Sequence, residues 1–293
     1  MRKLWQRIVR WFKKLLGDDN EWPVPPLPPP PVPAVLPPVR IEGTKLMRGD
    51  EQLRKMKSID WAVQPVDLIG YQKVLEADYL AGIQVYFAYA GPGLGKPLYA
   101  TNSAGQPYKN IDSLERNEAY WAEAVLRAKR ANALGISVVV ANTFVDEGVF
   151  SRYPLSLLKL DWARTVELFE NEVESMMFLP MSEYDEGSDA EKQKSIELLS
   201  IRPDHPQSLH SVKSYPKMNV PNMDFICTQD WSEQALRDGL ATGKPCGCVE
   251  TQGASWNQMQ QMYLKAQEIG AFFVFTGRNF GWKPGEAEWL KEQ

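Results

Sequence analysis

The sequence predicts an α/β fold, a (β/α)8 TIM barrel preceded by an N-terminal amphipathic helix and a proline-rich linker. Three observations predict it. From about residue 58 short β-rich runs alternate with helix-length periodic segments. The β-rich runs number eight, at 59–63, 82–90, 135–144, 175–183, 208–212, 223–229, 245–250 and 271–277. Several helical segments end in a glycine that leads directly into the next run, as in "ANALGISVVV" and "AQEIGAFFVF", the signal of a short connection from helix to strand. Eight such units close into a barrel. A chain of 293 residues with 44% hydrophobic content can bury the core that this fold requires.

Residues 1–17, "MRKLWQRIVRWFKKLLG", place Leu4, Ile8, Phe12 and Leu15 on one helical stripe, with Arg2, Lys3, Arg7, Arg10, Lys13 and Lys14 around the rest. This is a basic amphipathic helix suited to an anionic membrane surface or a protein assembly. It lacks the uncharged apolar stretch of a secretory signal, so no cleavable signal peptide is expected, and membrane-surface or virion association follows as the expected location. Residues 18–40 form a linker, with ten prolines between positions 22 and 38 that favour an extended polyproline II spacer. The barrel domain is expected over 41–293.

Within the barrel the helical segments are clearest at 113–134, 159–174, 232–241 and 255–269, weaker at 66–81 and 190–199, with 284–292 closing the last unit. The first strand is expected at "IDWAV" (59–63), with "GTKLMRGD" (43–50) as its alternative. A doubly wound open sheet is the competing fold, but "GPGLGKP" (91–97) opens no helix and reads as a loop rather than a phosphate-binding turn.

Charge and composition exclude several functions. The N-terminal helix holds six basic residues, which leaves 27 of the 33 in the rest of the chain against all 37 acidic ones. A body of that sign is not built for nucleic acid. Three cysteines and two histidines in the whole chain supply no repeated pairs for a zinc site, so no metal and no cofactor are expected. Cys246, Cys248 and Glu250 alternate along one run and are expected to share the inward face, the thiols reduced and filling the lumen.

Barrels carry their chemistry at the C-terminal ends of their strands. Two of those ends bear carboxylates: Glu183 in "FLPMSEYDEG" at the fourth run and Glu250 in "KPCGCVETQG" at the seventh. Asp185 and Glu186 stand beside Glu183 as alternative acids.

In order and spacing, "MSEYDE", "RPDHPQSLHSV", "MDFICTQDW" and "KPCGCVETQG" resemble segments of the (β/α)8 glycoside hydrolases of the clan that carries an acid/base Glu on strand four and a nucleophile Glu on strand seven. The resemblance covers roughly residues 58–290. It implies a retaining hydrolysis of a polysaccharide or oligosaccharide, with Glu250 as nucleophile and Glu183 as acid/base. Ser182 stands where that clan has an Asn that bonds the sugar 2-hydroxyl, and no histidine matches the imidazoles many relatives place at strands three and six. Asn142 and Gln229 near those two ends are expected to supply neutral hydrogen bonds to substrate, Trp231 and Trp282 to stack on sugar faces, and Tyr184 either to orient the nucleophile or to point outward. The Ser182 departure and the absent histidines sustain an alternative, a catalytically silent carbohydrate-binding or structural barrel, for example in a virion.

Overall fold

The computed structural model describes residues 35–60, 68–89, 102–110, 112–141, 152–212, 220–251, 253–277 and 281–293. The expected helix at 1–17, the linker up to residue 34, the glycine-rich stretch 91–97 and Asn142 lie outside the described residues.

The described chain opens with three short antiparallel strands, β1 (Val39–Glu42), β2 (Lys45–Arg48) and β3 (Glu51–Gln52). The barrel strands follow: β4 (Lys55–Asp60), β5 (Val85–Tyr89), then, after a small hairpin of β6 (Tyr108–Asn110) and β7 (Glu115–Arg116), β8 (Ser137–Ala141), β9 (Met176–Leu179), β10 (His210–Ser211), β11 (Ile226–Thr228), β12 (Cys246–Cys248) and β13 (Phe272–Phe275). The eight are parallel neighbours in the order β10-β11-β12-β13-β4-β5-β8-β9. The ring closes between β9 and β10 through a parallel bridge of Phe178 with Gln207. The Phe178 N–H donates to Pro206 O, and the Ser208 N–H to Phe178 O, at 2.9 Å each.

Helices Leu68–Leu80, Glu118–Ala133, Leu155–Glu170, Asp189–Leu198, Glu233–Leu240, Trp256–Ile269 and Glu286–Glu292 surround the strands. Local chemistry sets their ends. Ser188 with Glu191 and Ser255 with Gln258 form capping boxes, and Gly270, at φ 85°, ends the helix before β13 as the sequence implies.

Alternation along the strands divides the core in two. One face of each strand, with Tyr86, Val138, Phe178, Ile226, Phe273 and Phe275, packs against helix residues such as Trp121, Trp162 and Tyr263. The other face fills the lumen with Met56, Phe87, Val139, Met177, Cys227 and Val274. Val39, Leu46 and Leu53 from the N-terminal strands join this inner cluster. Arg48 shows which end they cover: its Nη1 donates to Gln84 O at 3.3 Å, Gly135 O at 2.5 Å and Ser137 Oγ at 3.1 Å, all at the starts of barrel strands. The small sheet therefore plugs the N-terminal end of the barrel, and the opposite rim is left to the loops after the strands.

Two expectations are corrected. The first barrel strand lies at Lys55–Asp60, upstream of 59–63, and 43–50 belongs to the plug. Its lysines hide it: "KMKSID" does not look like a core strand until Lys57 is seen to be fully buried against Asp78. The second correction concerns the thiols. Cys246 and Cys248 sit in the helix-facing cluster, and only Cys227 fills the lumen, beside Gly247 on the next strand. A Cβ on Gly247 would collide with Phe272, which is why the inward position of β12 is a glycine. Burial pushes the Cys246 and Cys248 thiols up to about 12 and that of Cys227 well above its ordinary value, so all three stay protonated.

Candidate active site

Three side chains from three strands meet at the rim. Glu183 follows β9, Gln229 immediately follows β11, and Glu250 lies two residues past β12. Each is half-buried. The Gln229 Nε2 donates to Glu183 Oε1 at 2.7 Å and to Glu250 Oε2 at 2.6 Å. One nitrogen bonded to both oxygens holds them no further apart than the two lengths together, 5.3 Å. An amide NH2 has two protons, so this geometry gives one to each carboxylate.

The backbone around these groups is pinned on every side. The Gln229 N–H donates to Ser211 O at 2.9 Å, and the Val249 N–H to Thr228 O at 2.9 Å. Past Glu250, Thr251 shares a 2.6 Å hydrogen bond between hydroxyls with Thr276. By strand parity Glu250 would face the helices with Cys248, but β12 has ended and the chain has turned. The Cys248 Sγ is 3.3 Å from Glu250 O. The carboxylate reaches the rim because it stands outside the strand.

Glu183 is held differently. Its φ is 54°, in the left-handed region that side chains avoid, and the Glu186 N–H closes a turn onto Glu183 O at 3.1 Å. The loop is tied down by Asp185, whose carboxylate accepts from Ser211 Oγ and from the Val212 N–H, each at 2.7 Å. Those bonds make Asp185 a fastener between the loops after β9 and β10, and Glu186 is exposed. Of the three acids in "SEYDE", only Glu183 is joined to Glu250 through Gln229.

Beside Glu183 in the sequence and on β10 are buried polar groups with no hydrogen-bond partner among the described residues. Ser182 Oγ is fully buried with no hydrogen bond, and so are both ring nitrogens of His210, which shares the inward face with Cys227. Burial drives the His210 imidazole down to about 3, with the charge of Asp185 opposing, so the ring is neutral. The clan's histidines stand at strands three and six, whereas this chain has one on strand five. "SLHSV" carried the signal, a histidine alternating with serines in a strand.

The aromatic expectations divide. Trp231 is 59% exposed and forms one wall of a groove of about 550 Å³, with Gly253, Ala254, Gln258, Met262 and Lys265 around it. Most of its lining comes from the helices Glu233–Leu240 and Trp256–Ile269, and Glu183, Gln229 and Glu250 do not line it. Trp282 instead packs edge-on to Trp256 and Phe275, with Lys57 Nζ at 5.0 Å from its ring, in the layer between barrel and helices. Tyr184 is also buried in that layer, and its N–H donates to His210 O. Trp282 is thus half-buried against aromatic neighbours, and Tyr184 is buried rather than pointing outward.

No protein-family model and no curated protein matches the chain by sequence. Solved structures do resemble it. A glycoside hydrolase superposes with a TM-score of 0.67 over 88% of this chain and 69% of its own, at 13% identity. A family 5 glycoside hydrolase from Bacteroides vulgatus gives 0.65 over 88% and 66%, at 15% identity. A β-glucanase from Saccharophagus degradans, solved with cellotetraose, gives 0.55 over 94% and 98%, at 12% identity. At such identities the likeness establishes the fold: the chain is a (β/α)8 barrel of the kind these glycoside hydrolases have.

Proposed function

We propose that this protein is a retaining glycoside hydrolase of a polysaccharide, with Glu250 as nucleophile and Glu183 as acid/base. The observation that carries the reading is the span of at most 5.3 Å between the bridged oxygens of Glu183 and Glu250. A retaining pair stands about 5–5.5 Å apart, whereas about 6.5–9.5 Å is needed to admit an inverting water. The fold shared with glycoside hydrolases supports the same reading.

The chemistry follows from the spacing. Glu250 attacks the anomeric carbon as the bond to the leaving oxygen breaks, and Glu183 gives that oxygen its proton. The resulting glycosyl ester on Glu250 is then opened by a water that returns a proton to Glu183. Ser182 is too short to copy the clan's Asn, so recognition at the sugar C2 differs here.

Glu250→Gln should lose nearly all hydrolysis. Glu183→Gln should slow substrates with poor leaving groups far more than activated aryl glycosides, whose departure needs little protonation. Full activity of Glu250→Gln on a confirmed substrate would end the proposal.

One observation favours a silent carbohydrate-binding barrel instead. A neutral amide that donates to both carboxylates stabilises both charges, and the mechanism needs one acid protonated. A panel of polysaccharides separates the readings, because a binder retains sugar and releases no reducing ends. The N-terminal segment is proposed to tether either kind of barrel to an anionic membrane or an assembly, on the strength of its basic amphipathic pattern. The test is removal of residues 1–34, which spares Val39 in the plug. The shortened protein should fold and lose vesicle or assembly binding.

A further inference from the structure

Two carboxylates this close repel, and a site containing them must either separate them, share a proton or place a donor between them. Here the donor is the amide of Gln229, whose backbone is fixed to Ser211 on the neighbouring strand. We propose that Gln229 is the positioning residue of the pair: its one amide group sets the spacing of Glu183 and Glu250 and favours the ionised form of each, so that it fixes the pH window of the site. This inference rests on the glycosidase reading for its consequence in catalysis, but the bridge itself can be measured without any substrate.

Hydrogen bonds donated to a carboxylate favour its charged form. Nucleophilic attack needs Glu250 ionised, so the bond at 2.6 Å helps it. Proton donation needs Glu183 protonated, so the bond at 2.7 Å opposes it. Gln229 thus holds both limbs of a bell-shaped profile toward acid, and a glycosidic oxygen arriving at Glu183 must weaken that arm before the proton can be delivered. Titratable groups on the elements that carry the pair and Gln229 include Asp185 and Glu186 on the Glu183 loop, His210 on β10, Asp230 beside Gln229, and Cys248 before Glu250. Asp230 and Glu250 both act on the Cys248 thiol, and Asp185 acts on His210. All of these remain in place when Gln229 alone is changed.

The test is a carboxyl carbon NMR titration of glutamate-labelled full-length protein, with the two resonances assigned through Glu183→Gln and Glu250→Gln. In Gln229→Leu both macroscopic midpoints should move up by about one pH unit. Gln229→Asn, one methylene shorter, reaches at most one carboxylate and should move at least one midpoint; it decides the matter if the leucine variant does not fold. Midpoints that stay where they are in a folded variant overturn the proposal. The kcat/KM profile on a hydrolysed glycoside supplies the second readout: the whole bell should move toward higher pH, whereas a merely structural role would lower it in place. Shifted midpoints in a protein that hydrolyses nothing would leave the bridge standing and remove the glycosidase reading. Unshifted midpoints in an active enzyme would do the reverse.

Discussion

Two clusters of charge stand close to opposite extremes in this barrel. Between β4, β5 and the helix Leu68–Leu80, Lys57 Nζ lies 2.8 and 2.6 Å from the two oxygens of Asp78, and the Tyr86 hydroxyl donates to the same carboxylate at 2.6 Å. Both charged side chains are completely buried. At the C-terminal rim two carboxylates of the same sign, each half-buried, are bridged by an amide. The first arrangement cancels its charge and satisfies it. The second concentrates charge and strains the backbone at Glu183. Opposite charges closed into the wall serve the fold, and like charges held at the rim are what the proposed chemistry requires. The division follows the general one in such barrels between stability within the body and chemistry at the C-terminal face.

The comparison breaks most visibly in stability measurements. Burial pushes the Asp78 carboxyl up, and Lys57 with its hydrogen bonds pulls it back. Lys57→Ala leaves that carboxyl buried without its counter-charge and should cost about 3–5 kcal/mol in chemical denaturation, while Lys57→Met with Asp78→Leu should recover much of the loss. Glu250→Gln, which removes one of two like charges, should leave stability unchanged or slightly raised. Equal losses in the two clusters would mean that the rim pair is simply another structural contact.

His210 gives a second, smaller contrast, because it is a buried ring nitrogen pair on the rim side with no partner. Its imidazole is held near 3 by burial. The unfolded chain takes up a proton at about 6.5. Between those values the unfolded state binds the extra proton, so stability is complete above about pH 6.5 and falls as the pH falls, by on the order of 1.4 kcal/mol per unit. Denaturation midpoints measured from pH 6.5 down to 4 should show that slope, and His210→Asn should reduce it by one proton's worth. Identical slopes in the two proteins would mean that the ring is not desolvated as described.

Most of the barrel is legible in the sequence because its outer face obeys simple periodicity. The run "GISVVVA" and the helix behind "AQEIG" announce themselves through apolar spacing and a terminal glycine. What hides is whatever depends on a partner far along the chain. β4 reads as polar because the lysine that spoils its pattern is neutralised by Asp78, 21 residues later. The plug strands look like a candidate first barrel strand because nothing local says that they are antiparallel. Cys246 and Cys248 face opposite to expectation, while Cys227 fills the lumen as expected, because Glu250 lies past the end of the strand and does not share its parity. At the site, Glu183, Glu250 and Gln229 are each findable as polar residues at strand ends, but no spacing rule says that one amide serves two acids. That fact belongs to the closed ring.

The smallest expected effect is the most specific to the comparison. Glu183 adopts φ 54° with no glycine to accommodate it, one of three non-glycine residues with positive φ among those described. A side chain in the left-handed region costs roughly 1 kcal/mol, and such strain persists where the surroundings impose it. In the Lys57 cluster each charge is buried against its partner, so a change that removes one partner alone should destabilise. At Glu183 the opposite should hold. Glu183→Gly removes the Cβ that the turn disfavours and one of two repelling charges. Against this it loses the bond from Gln229 and adds the entropy of a freer unfolded chain. The net result should be a folded protein within about 1 kcal/mol of the original or slightly above it, with proton donation to poor leaving groups abolished. Thermal melts at fixed pH, together with hydrolysis of activated and unactivated glycosides, would measure both. A loss as large as that of Lys57→Ala would show that Glu183 is held for the sake of the barrel, and its strained backbone would then have no functional meaning.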